Sequence, residues 1–178
     1  QEDYTAISVG CLDCHQEIAR DRFNKIDYSF QRQRLEAIVK QFNTVLIRVE
    51  LNSIGVPNFE ELQRSGLPVV GFQTTAATKP KLIENLALVL EKQEWAFQAD
   101  PVWTGELEAY EQKVNANTGR SSYSAPQGMH DDTVIARALM VYGHTPAPLV
   151  VGQELEKKST FAGFGDRQSG KWSKYGNE

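Results

Sequence analysis

Thr44-Val45-Leu46-Ile47-Arg48-Val49-Glu50-Leu51 decides how this 178-residue chain folds. The stretch is apolar almost throughout, so it reads as a buried member of a sheet covered by helices. Its neighbours fit that reading. Upstream, Ser29 precedes a helix to about Phe42, with Phe30, Leu35, Ile38, Val39 and Phe42 near helical spacing. Downstream, Pro57 opens a short helix, Asn58 to Ser65, and Gly66 closes it. Leu67 to Phe72 is a further strand. Thr78 caps a strong helix, Lys79 to Gln93, whose Leu82, Leu86, Val89 and Leu90 share one face.

Further out, Tyr4 to Leu12 and Glu17 to Ile26 read as an antiparallel hairpin around the polar turn Asp13 to Gln16. Glu94 to Phe97 reads as a short strand and Gly105 to Val114 as an amphipathic helix. Ser121 to Ser124 is short and extended. Asp131 starts a helix through Tyr142, with Val134, Ile135, Ala138, Leu139 and Tyr142 at core spacing. The order predicts an α/β fold, a mixed sheet flanked by helices. From Gly152 the composition turns to Gly, Ser and Lys with scattered aromatics. The domain is therefore expected over residues 1–151, with a flexible C-terminal tail over 152–178.

Composition narrows the function. Lys and Arg number 19 against 23 Asp and Glu, a net charge of −4, so no global basic field draws the chain onto nucleic acid. Any such binding needs a local patch. No apolar run approaches the roughly 20 residues of a membrane span, and no signal peptide is apparent. The chain begins at Gln1, not Met, which reads as a processed protein or an excised fragment. The two cysteines lie in Cys11-Leu12-Asp13-Cys14-His15, formally a haem-attachment pattern. Strand-like flanks argue against haem, and no second cysteine pair completes a zinc site. They read as reduced cysteines flanking the hairpin turn.

Chemistry in such a fold belongs at the carboxyl ends of the strands. Glu50 ends the apolar strand, before the turn Asn52-Ser53-Ile54-Gly55-Val56-Pro57. The second acidic place is His130-Asp131-Asp132, after Pro126 and Gly128. Asp131 has a structural role open to it as a helix N-cap, with Asp132 complementing the helix dipole. The alternative is a hard-cation site, because carboxylate oxygens suit Mg²⁺ or Mn²⁺. No G-x-S-x-G, Walker A or H-E-x-x-H pattern is present. His15, His130 and His144 have no paired-ligand spacing.

The stretch Ser121-Ser122-Tyr123-Ser124-Ala125-Pro126-Gln127-Gly128-Met129-His130-Asp131-Asp132-Thr133-Val134 resembles the last acidic motif of the large terminase subunits of tailed bacteriophages, roughly Y-x-A-P-x-G-x-H-D-D-x-V-x-A. Val49-Glu50-Leu51-Asn52-Ser53-Ile54-Gly55 resembles the family's second acidic motif. Thr74 to Leu86 resembles its T-x-x-x-K-x-x-L-I-x-x-L segment, and Asp3-Tyr4-Thr5-Ala6 the start of its second strand. The matches run in family order from Asp3 to Tyr142.

The resemblance implies an RNase H-like (RuvC-like) C-terminal nuclease domain. Such a domain cuts concatemeric double-stranded DNA with two Mg²⁺ or Mn²⁺ ions held by acids. Glu50 takes the place of the second acid and Asp131 or Asp132 that of the third. Lys79 stands at the family's basic position, facing a phosphate or an acid, and Arg120 lies where it can contact DNA. The family's first acid lies on a first strand before the D-Y-T segment. Only Gln1 and Glu2 precede Asp3 here, so that strand and its acid are expected to be missing. The family also implies an ATPase domain, a small terminase subunit and a portal as partners, in the host bacterial cytoplasm and without a membrane. Two other readings remain: another RNase H-like nuclease, such as a resolvase or transposase core, or a non-catalytic docking domain whose carboxylates are structural.

Overall fold

A computed structural model describes residues 4–114, 116, 119 and 121–143. Arg120, His144 and the tail expected over 152–178 lie outside the described residues. Strands β1 (Thr5–Cys11) and β2 (Gln16–Phe23) form the expected hairpin, pairing antiparallel with Ile7 opposite Asp21. The register shifts between Val9 and Gly10. Gly10 is required there, because a Cβ would lie 2.6 Å from the Trp95 ring. Cys11 and Cys14 are free and flank the turn, and His15 stacks on Trp95 at 5.2 Å.

Helix α1 (Tyr28–Phe42) starts two residues earlier than expected, because Asp27 and not Ser29 is its cap. The Asp27 carboxylate accepts the Ser29 N–H at 2.8 Å, the usual N-cap bond. Strand β3 (Ile47–Glu50) is shorter than the apolar run that suggested it, and pairs parallel with β4 (Val69–Phe72). Between them the segment expected as a turn is one helical turn, α2 (Leu51–Ile54), followed by α3 (Val56–Arg64).

Helix α4 (Thr78–Glu91) buries Leu82, Ile83, Leu86 and Val89. Thr78 lies inside its first turn. The Thr75 N–H donates to the Thr78 hydroxyl at 2.8 Å and the Thr78 N–H donates to the Thr75 hydroxyl at 3.1 Å. The stretch expected as a short strand after α4 contributes one bridge, Ala96 to Gln16.

The helix expected over Gly105 to Val114 is displaced. Helix α5 (Pro101–Glu108) ends before it, and β5 (Glu111–Val114) pairs antiparallel with β6 (Ser121–Ser124). The cause is local. Asp100 caps the Val102 N–H at 3.0 Å and Pro101 fits the first helical position, so the helix starts there. Helix α6 (Asp132–Val141) packs on β1, β3, α4 and α5. Its Val134, Ala138 and Val141 are fully buried against α4, Trp95 and Trp103.

The strands form three two-stranded ladders. Both β1 and β3 line one groove of about 1150 Å³, together with α1 and α6. Among the described residues neither strand has a second hydrogen-bonded neighbour. This explains why α1 buries no residue despite its apolar spacing: Leu35, Ile38 and Phe42 border the open groove.

The core also contains a charge. Arg137 of α6 is 2% exposed. Its guanidinium donates to Glu17 at 2.9 Å and reaches Asp100 at 3.5 Å, with its carbon 4.3 Å from the Trp103 ring centre. Glu17 is satisfied further by the Ser8 hydroxyl at 2.6 Å and the Gln98 N–H at 3.0 Å. Removing one partner strands a buried charge, which costs about 3–5 kcal/mol. Arg137→Ala is therefore expected to lower urea-unfolding stability by about that much. A loss within the ordinary surface range of about 0.5 kcal/mol contradicts the assignment.

Candidate metal centre

The third acidic motif begins with a turn that needs its glycine. Gly128 has a φ of +88°, and the Met129 N–H closes on the Pro126 carbonyl at 3.0 Å. The turn delivers His130, Asp131 and Asp132 to the head of α6.

Asp131 stands at the N-cap position, yet its side chain makes no cap bond. The cap is supplied from outside the segment. Glu106 of α5, 7% exposed, accepts the Thr133 N–H at 2.9 Å and the Thr133 hydroxyl at 2.5 Å. Asp131 is thereby free to turn away from the helix, and it accepts the Lys79 ammonium at 3.0 Å. Of the two roles open to Lys79, the one seen is contact with an acid.

Asp132 is half-buried. Its Oδ2 lies 3.5 Å from His130 Nδ1 and 3.9 Å from Arg22 Nη2, but makes no hydrogen bond. Burial, followed by the Glu106 charge, pushes its pKa up to about 6, with His130 and Arg22 opposing. Arg22 lies 3.6 Å over the Tyr4 ring and 3.5 Å from Glu106. His130 packs edge-on to the same tyrosine at 5.2 Å.

Glu50 is held at the end of β3. The Thr74 hydroxyl donates to one oxygen at 2.5 Å and the Ser53 hydroxyl to the other at 2.8 Å. Glu50, Lys79, Asp131 and Asp132 all border the groove between β1 and β3. Among the described residues no three His, Cys, Asp or Glu side chains are grouped so that they could by themselves hold a metal ion. The donor set is hard carboxylate oxygen, including one buried oxygen without a hydrogen bond. It fits a divalent cation that keeps part of its shell for water and substrate phosphate.

The sequence reading missed Glu106, Arg22 and Tyr110. The Tyr110 hydroxyl is kept protonated far above its ordinary range by burial, then by Asp131, with Glu50 adding to it. No spacing rule points to these residues, because each acts across elements distant in sequence.

No family model matches the chain. It is 28% identical over 139 residues to the large terminase subunit of Thermus virus P23-45, covering 78% of this chain and 28% of that protein. The chain therefore spans little more than a quarter of that relative. In three dimensions it is similar to the large terminase nuclease from thermophilic phage G20c, with a TM-score of 0.74 and 27% identity over 82% of this chain and 77% of that one. The same nuclease with bound magnesium gives 0.71 and 28%, over 79% of this chain and 74% of that one. The fold is RNase H-like. The chain is similar in sequence to a large terminase subunit and in structure to large terminase nucleases, as its acidic motifs suggested.

The raised pKa of Asp132 has a measurable consequence. The folded state keeps a proton that the unfolded state releases near pH 3.8, so this group's contribution falls as pH rises from about 4 to about 6. Asp132→Asn keeps the neutral shape at every pH. It is expected to raise the urea midpoint above about pH 6.5 and to leave it unchanged near pH 3.5. Equal shifts at both pH values contradict the assignment.

Proposed function

We propose that this chain is the metal-dependent endonuclease domain of a phage DNA-packaging terminase large subunit. Its substrate is double-stranded, concatemeric DNA. The observation that carries the reading is the position of Asp131. It heads α6 without capping it, because Glu106 does so, and it faces the groove that Glu50 and Asp132 also border. A docking domain with purely structural acids gives no reason for that substitution.

Glu50, Asp131 and Asp132 would hold two Mg²⁺ or Mn²⁺ ions. Divalent cations held there supply positive charge to a scissile phosphodiester and lower the pKa of a bound water. Thr74 and Ser53 orient the Glu50 carboxylate. Lys79 balances Asp131 in the free protein and adds positive charge beside a bound phosphate. Arg120, which lies outside the described residues, would add a further DNA contact. A strand bearing the family's first acid would meet β1 and β3 on edges that have no other strand neighbour among the described residues. The family implies an ATPase domain, a small terminase subunit and a portal as partners. No helix among the described residues is long and apolar enough to cross a membrane, which agrees with action in the host bacterial cytoplasm.

The test is plasmid nicking with Mn²⁺ by the 178-residue chain, beside Glu50→Ala and the Asp131→Ala, Asp132→Ala double variant. Nicking by the parent is expected to fall by about 100-fold or more in both, at least the loss known for outer-shell partners of metal ligands. Adding the upstream strand with the first acid is expected to raise the parent's rate. Equal nicking by parent and variants, or none even with that strand restored, sinks the proposal.

A further inference from the structure

Glu106 lies near the end of α5 and is buried. One of its oxygens takes both donors of Thr133, the N–H at 2.9 Å and the hydroxyl. The other lies 3.5 Å from Arg22, which is itself stacked over Tyr4. The carboxylate is thus held from both sides. Thr133 is the second residue of α6, and its N–H is a donor that the residue at the Asp131 position ordinarily caps. Asp131 does not take that role. Its side chain makes no cap bond, and its backbone, at φ −132° and ψ 16°, lies outside the extended region that capping residues adopt. It accepts Lys79 instead. Two carboxylates therefore stand within reach of one helix start, and of the two only Asp131 borders the groove.

We propose that Glu106 is a positioning residue for the metal centre: by capping α6 from the neighbouring helix it keeps the Asp131 carboxylate off its own helix and available to a divalent cation in the groove. The inference rests on the metal-nuclease reading above. A helix start leaves its first N–H groups without partners. An aspartate at the residue before the helix is among the best side chains for satisfying them. Without Glu106, the Thr133 N–H recruits Asp131, and a cation must break that bond before it gains the carboxylate. Groups that orient a ligating side chain are worth about 10–100-fold in metal affinity. Glu106 does not line the groove, so its effect on the cation passes through Asp131.

The experiment compares Glu106→Gln with Glu106→Met. Both keep the length of the side chain and relieve the neighbouring Asp132 of the same charge, but only glutamine keeps an acceptor for Thr133. Calorimetric titration of Mn²⁺ into the 178-residue chain and both variants is expected to show binding about 10-fold weaker in Glu106→Met than in Glu106→Gln. Urea unfolding in EDTA reads the same exchange without metal. Asp131→Ala is expected to leave the midpoint of Glu106→Gln nearly unchanged and to lower that of Glu106→Met, because only there has Asp131 become the cap. Should Glu106→Met not fold, Glu106→Asp keeps the charge and withdraws the acceptor by one methylene, and Mn²⁺ binding weaker than the parent's is again expected. Three results overturn the inference and leave the nuclease reading standing: equal Mn²⁺ affinity in the glutamine and methionine variants, parental affinity in Glu106→Asp, or an Asp131→Ala loss that is the same in both backgrounds, which marks a merely structural Glu106. A parent chain that binds no Mn²⁺ overturns the metal reading and this inference with it.

Discussion

The buried guanidinium of Arg137 is the constraint on which the rest of the molecule depends. A lone charge in an apolar core costs many kcal/mol, so the fold must bring acids to it. Glu17 arrives from the hairpin and Asp100 from the head of α5, and the Trp103 ring covers one face. Each acid has a second task. Glu17 accepts from Ser8 and Gln98, while Asp100 caps α5 and pairs with Arg20 at 3.0 Å. Hairpin, α5 and α6 are thereby locked in one mutual arrangement. None of the three can shift without leaving a buried charge unpaired.

That arrangement decides the chemistry at the head of α6. With α5 fixed, Glu106 reaches the backbone of Thr133 and takes over the role that Asp131 would otherwise fill. Asp131 is released toward Lys79 and the groove. The cost falls on Asp132, whose burial, with the nearby Glu106 charge added, holds its proton well above the usual carboxylate range. Acids crowded this way destabilise the fold when alone and are relieved by a cation. Perturbed groups of this kind concentrate at functional sites.

The groove sets the other boundary of the site. It is lined by β1 and β3, neither of which has a second strand neighbour among the described residues, and by apolar residues of α1 and α6. Such edges pair readily with a further strand. The chain's overall charge is negative, so attraction to a polyanion must come from local cations such as Lys79. Binding of that kind is modest and sensitive to salt.

The sequence by itself determined the local elements with strong periodic or capping signals. The hairpin, β3, β4, α4 and α6 stand close to where alternation, apolar runs and helical spacing put them, because those patterns record which face each element buries. Motif order put forward Glu50, Asp131 and Asp132 as candidate ligands, and Lys79 came forward through its place in the third match; the fold lines one groove with all four. Helix α5 was misread because the apolar spacing after Gly105 outweighed Asp100-Pro101, a start signal plainly visible in the chain.

What only the tertiary structure decided is which polar groups pair. Arg137 and Glu17 are 120 positions apart, and Glu106 and Thr133 are 27 apart. Nothing in local spacing encodes either contact. The sequence offered Asp131 as a cap and as a ligand. The choice fell to Glu106, a residue on another helix, because the buried Arg137 network had already fixed where that helix must lie.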